Sequence, residues 1–131
     1  MIIRNQTPKG GTELQFEFLR KHVDPKVLDQ AQICTSIPEK IPLHSTKVNI
    51  LWQKNSYDQP NLAPWFQDQS NHNKYDWYVF NSHWTYEKYR TYFKLPTEKC
   101  VVIKNGIEKI EPIQTTYKKG QPIKIIHQNA P

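Results

Sequence analysis

Trp77-Tyr78-Val79-Phe80 sets four bulky residues in a row with no polar break. A strand with one wet face alternates polar and apolar side chains, so an unbroken run belongs to a strand covered on both faces. Val48-Asn49-Ile50-Leu51-Trp52 and Val101-Val102-Ile103 have similar character, and residues 31–36 form a further short candidate. Helical stretches separate them. Residues 85–93 carry Tyr86, Tyr89 and Phe93 at i, i+3 and i+7, and Pro96 ends that segment. Asp24-Pro25 opens a short turn of helix, with Pro25 suited to a first helical position. A short helix also fits within residues 62–75. Short apolar strands alternating with helices predict an α/β chain with a Rossmann-like, doubly wound parallel sheet. Ligands of such sheets bind at the carboxyl ends of the strands. The polar clusters at residues 9–12, 53–58, 81–83 and 104–106 fall there.

The first of these clusters belongs to Thr7-Pro8-Lys9-Gly10-Gly11-Thr12-Glu13, which leads into a helix over residues 14–23. Thr12 is expected to cap that helix, and Glu13 suits the positive end of its dipole. Its apolar residues, Leu14, Phe16, Phe18, Leu19 and Val23, spread broadly and predict a helix covered on more than one side. With residues 1–4 as a short strand, the unit reads strand, glycine turn, helix. Backbone N–H groups at such a turn can hold a phosphate, although on local chemistry Gly10-Gly11 reads first as a tight connection.

The 131 residues suffice for one domain with a core, and 12% aromatic content argues against disorder. No apolar run has membrane-spanning length, and the start lacks a secretory signal core, so the expected location is cytoplasmic. Cys34 and Cys100 read as buried thiols, with a single bridge as the alternative. The net charge of +6 is spread out, with no basic run longer than Lys118-Lys119. That disfavours nucleic acid as a partner and points to anionic ligands in general. The five histidines show no metal-ligand spacing, and no nucleophile elbow stands out, so neither a metal nor hydrolase chemistry is expected.

The order of the pieces resembles a known family. Gly10-Gly11-Thr12-Glu13, the Asn81-Ser82 end of a strand, and Val102-Ile103-Lys104-Asn105-Gly106-Ile107 look like the amino-terminal half of GT-B glycosyltransferases. The group most similar is the large retaining family 4. The resemblance implies transfer of a sugar from a nucleotide-sugar to an acceptor hydroxyl, with retention and without metal. The nucleotide-sugar is then a co-substrate and a glycan or other hydroxyl compound the acceptor. It further implies that residues 1–111 are the acceptor-side domain, 112–122 a linker, and 123–131 the opening strand of a separate donor-binding domain. The chain lacks that domain's paired glutamates and carries Lys54-Asn55 where many relatives have His-Asp. The expectation is a truncated transferase, inactive alone. The alternatives are a stand-alone sugar- or nucleotide-binding module and a small basic nucleic-acid-binding protein.

No catalytic residue is singled out. Gly10, Gly11 and Thr12 are the expected donor-phosphate turn, and Asn105-Gly106 the domain crossing, with Gly106 read as a positive-φ turn residue. The acceptor-cleft candidates are Lys54, Asp58, Trp65, Ser82 and His83, although Lys54 and Asp58 also read as solvated loop charge. Among Trp52, Trp65, Trp77 and Trp84, any of which can stack on a sugar, Trp77 is expected in the core and Trp65 exposed.

Overall fold

The computed structural model describes residues 10–109, 111–112 and 118–122. The strands expected at residues 1–4 and 123–126 lie outside the described residues.

Helix α1 (Gly11–His22) and the single turn α2 (Pro25–Leu28) precede strand β1 (Ala31–Thr35). An irregular connection leads to β2 (Val48–Gln53). Helix α3 (Ala63–Gln67) and a 3₁₀ segment (Gln69–Asn73) then lead to β3 (Trp77–Phe80), and α4 (His83–Phe93) to β4 (Cys100–Val102). The four strands form one parallel sheet in the order β1-β2-β3-β4. This is the expected α/β, Rossmann-like arrangement. Among the described residues, no helix is long and apolar enough to cross a membrane.

Register decides which side chains share a face. Leu51 is level with Cys34 and Tyr78, and Gln53 with Phe80, so these residues point one way. Ile33, Ile50, Trp77, Val79 and Val101 point the other. The first face carries the core, a cluster that includes Leu51, Phe66, Tyr75, Tyr78, Phe80, Tyr89 and Phe93. Phe66 of α3 lies at its centre, 4.9 Å from the Tyr89 ring and 5.4 Å from Phe93. Buried tyrosines tolerate this site because each hydroxyl reaches a backbone partner. Tyr75 Oη accepts the Glu39 N–H at 2.7 Å, Tyr78 Oη donates to His72 O at 2.9 Å, and Tyr89 Oη donates to Asn55 O at 3.0 Å.

The second face is thinly covered. Helix α1 crosses it without burying a single residue, and Leu14 is 52% exposed. An apolar hollow of about 160 Å³ lies between Leu19 and Ile33, Ile50, Trp52, Val79 and Ile103. The expectation of a helix covered on several sides is corrected here, as is that of a buried Trp77, which is 42% exposed. Its run of four apolar residues is covered on one face only. Val101 and Ile103 are likewise exposed, on and just after β4, which is an edge strand among the described residues. What holds α1 is the segment after β4. Gln15 Nε2 donates to Gly106 O at 2.9 Å, and Glu108 takes Lys21 at 2.6 Å and His22 at 3.1 Å. A Cβ on Gly106 would lie 2.8 Å from the Phe18 ring, whereas the positive-φ glycine among those described is Gly120. Gly106 is thus a close-approach glycine rather than a turn glycine.

Truncating Phe66 to Ala removes the ring on which α3, β3 and α4 meet. The expected cost is about 3–5 kcal/mol, a large part of a small domain's stability. Urea unfolding followed by tyrosine and tryptophan fluorescence would measure it, and a loss below about 1 kcal/mol would contradict this account of the core.

Candidate functional site

Trp52 and Lys54 close β2, and Ser36 directly follows β1. Ser36 has φ +66°, and its N–H donates to Trp52 O at 3.0 Å. The strand ends are locked by Gln53, which is wholly buried although polar. Its Nε2 donates to Ser36 O at 2.8 Å, and its Oε1 accepts the Lys54 and Asn55 N–H groups, each at 2.9 Å. One amide therefore satisfies three backbone groups that the ladder leaves behind. Tyr89 holds the next carbonyl, that of Asn55, from inside the core.

This locked edge carries the three buried side-chain polar atoms that have no hydrogen-bond partner among the described residues: Ser36 Oγ, Trp52 Nε1 and Lys54 Nζ. Buried polar groups are nearly always paired, and each exception asks for a cause. Indole N–H and ammonium groups only donate, so these two lack an acceptor. Lys54 Nζ lies 3.7 Å from the Trp52 ring centroid. That cation–π contact offsets about 0.5–2 kcal/mol of the amine's desolvation. Burial holds the Lys54 pKa below the usual lysine value.

Lys54 also lines a cleft of about 300 Å³ with Gly11, Thr12, Gln15, Asn55, Asn81 and Asn105. The cleft joins the carboxyl edge of the sheet to the start of α1, bringing together the glycine turn, Lys54 and Asn105 from separate parts of the chain. Thr12 does not cap α1. Gly10 is the N-cap residue, no side chain bonds there, and Thr12 is already within the first helical turn. Glu13 folds back toward the turn, its Oε2 lying 2.6 Å from where a Gly10 Cβ would stand. The helix end therefore already has a carboxylate near it, and the positive charge that lines the cleft is that of Lys54.

The other candidates have structural work. Ser82 caps α4: its Oγ accepts the Thr85 N–H at 3.1 Å and lies 2.8 Å from Thr85 Oγ1. His83 is the exposed first residue of α4, and Asp58 is exposed on the loop after β2. Trp65 is not the exposed ring. It is half-buried against Phe66 and Tyr75, and its Nε1 donates to Glu39 at 2.7 Å, away from the cleft. That bond, more than the neighbouring Lys74, holds the Glu39 carboxyl below its ordinary pKa. Trp84, 59% exposed, is the open indole instead. Both cysteines are free thiols, and burial pushes Cys100 up to about 11. No cluster of metal-ligating side chains occurs among the described residues.

Ser36 is absent from the residues expected at the site, Trp52 stood there only as one of four indoles able to stack on a sugar, and Gln53 only as the first residue of the polar cluster 53–58. A visible signal existed for Gln53, an amide ending an apolar strand on the face that buries Leu51. Comparison with protein-family models, curated proteins and solved structures returns no match to this chain in any of the three.

Replacing Gln53 by Leu keeps the volume and abandons three backbone groups. We expect a loss of about 1–3 kcal/mol and faster amide hydrogen exchange at Lys54 and Asn55, with α4 protection unchanged. Unchanged exchange at those two amides would refute the locking role.

Proposed function

We propose that the chain is the acceptor-side half of a retaining glycosyltransferase, and that its cleft receives the diphosphate and sugar portion of a nucleotide-sugar. The observation that carries this reading is the buried, acceptor-less amine of Lys54, a residue that lines the cleft at the carboxyl edge of a parallel sheet. An oxygen-rich anion supplies the acceptor it lacks. The ordered set of sequence motifs adds the chemistry: Gly10-Gly11-Thr12-Glu13, Asn81-Ser82 and Asn105-Gly106 resemble those of the family 4 enzymes.

Size supports a half-site. A volume of about 300 Å³ stands at the lower bound for small-molecule sites. It accommodates a diphosphate with part of a sugar, and leaves the nucleoside to another domain. In the transfer step negative charge grows on the leaving diphosphate oxygens. Lys54 is fixed beside them before reaction, and a preorganised donor in a dry site stabilises developing charge more than water does. Asn55, Asn81 and Asn105 offer amides for sugar hydroxyls, and Gly10 and Gly11 let the backbone come close. Glu13 opposes the anion and is suited to a hydroxyl.

The test uses the full chain and UDP, followed by calorimetry. Lys54→Met should weaken UDP binding about tenfold to a hundredfold, the worth of a hydrogen bond to a charged group. Binding should also fall as pH rises through the lowered Lys54 pKa, sooner than an exposed lysine would allow, and be complete below it. That pH dependence should vanish in Lys54→Met. Glu13→Gln removes a like charge and should tighten binding severalfold. Absence of UDP binding at millimolar concentration, or equal binding by Lys54→Met, would sink the proposal.

A further inference from the structure

The loop after β2 and the start of α4 each leave the cleft within a few residues, and they bring a half-buried Tyr57 and an exposed Trp84 to the outer surface of α4. Tyr57 stacks on Tyr92 at 4.4 Å and 20°. Trp84 and Tyr92 are 59% and 57% exposed, although both lie on a well-formed helix. Eight residues separate them, a span of about 12 Å along the axis. Lys88 stands between, its Nζ 5.6 Å from the Trp84 ring centroid and 5.8 Å from those of Tyr57 and Tyr92. Single exposed rings need no explanation, but two exposed rings and a half-buried third around one cation form a patch of the kind that marks a binding surface.

Its charge narrows the occupant. The Glu87 carboxylate is engaged by Arg90 at 2.7 Å, while Lys88 has no ion pair among the described residues. The stripe thus presents one uncompensated positive charge, with Asp58 and Glu87 close by in the chain. A polynucleotide brings a phosphate at every unit and needs a run of cations, which the patch lacks. A saccharide with carboxylates set apart by neutral sugars suits it better. Its C–H faces lie on the rings, one carboxylate meets Lys88, and Asp58 accepts hydroxyl protons. The Tyr57–Tyr92 stack orders the platform in advance, which lowers the entropic cost of binding.

We infer that Trp84, Lys88, Tyr92 and Tyr57 form an outer subsite for an oligosaccharide acceptor that bears isolated carboxylates. The inference rests on the acceptor-side reading above and gives it a substrate class. The rings continue outward from the cleft mouth, where Asn55 and Asn81 stand.

The probes are a hyaluronan tetrasaccharide, with glucuronate at every second sugar, neutral chitotetraose, and a dT12 oligonucleotide. Tryptophan fluorescence and calorimetry on the full chain follow binding. The charged saccharide should bind more tightly than the neutral one. Trp84→Ala should weaken it at least tenfold, and Lys88→Met should abolish the preference for charge. Both residues lie at the surface, so circular dichroism and UDP affinity should stay unchanged. No saccharide binding by the unaltered chain, equal binding by Trp84→Ala, or tighter binding of dT12 would overturn the inference. UDP binding without saccharide binding overturns this subsite alone, whereas saccharide binding without UDP overturns the cleft reading and leaves the platform standing.

Discussion

A single buried amide organises the carboxyl edge of this sheet. Gln53 sits on the core face, level with Phe80, and is accommodated there because its amide is paired at both ends, with Ser36 O and with the Lys54 and Asn55 N–H groups. Satisfied buried networks stiffen a structure, whereas partly satisfied ones weaken it. By gripping Ser36 on one side and the start of the next loop on the other, Gln53 fixes the path on which Lys54 leaves the sheet. Tyr89 fixes the same loop one residue later from below. The Lys54 amine lies buried over the Trp52 ring without an acceptor.

The two faces of the sheet solve different problems. The α4 face is a conventional aromatic core, with interlocked rings at about 5–6 Å and tyrosine hydroxyls tethering loops. The α1 face buries little, and its helix is held through a close approach at Gly106 and exposed ion pairs, each worth at most about 1 kcal/mol. Local stability therefore falls steeply across a few ångströms, from α4 to α1. Binding sites are drawn from the less stable end of such gradients, and the cleft lies on the boundary between the two.

Much of this was legible in the chain. The β3 run matched residue for residue, and β1, β2 and β4 fell within one residue of their expected ends, because β-branched and aromatic runs between polar turns leave little ambiguity. The face that each residue occupies was not legible. Trp77 belongs to a run that reads as doubly buried, yet 42% of it is exposed. Trp65, expected exposed, is half-buried for a similar reason, since burial of an indole depends on which element packs above it. Thr12 failed as a cap because Gly10 starts the helix two residues sooner. At the site, the glycine turn and Lys54 were readable as candidates. The pairing of Lys54 with Trp52 depends on alternation at a strand end, and the lock by Gln53 depends on a register that only the assembled sheet defines.

The segment after β4 does not run free but doubles back to seat Gly106 against Phe18 and Glu108 beside Lys21 and His22. Mechanically it is a tether from the far edge of the sheet to the helix whose first turn walls the cleft. A load applied to the chain beyond residue 109 would reach α1 before it reached the aromatic core. The helix could then tilt over the lightly filled hollow beneath it while the other layer stayed rigid. Anything attached downstream would hold a lever on the cleft.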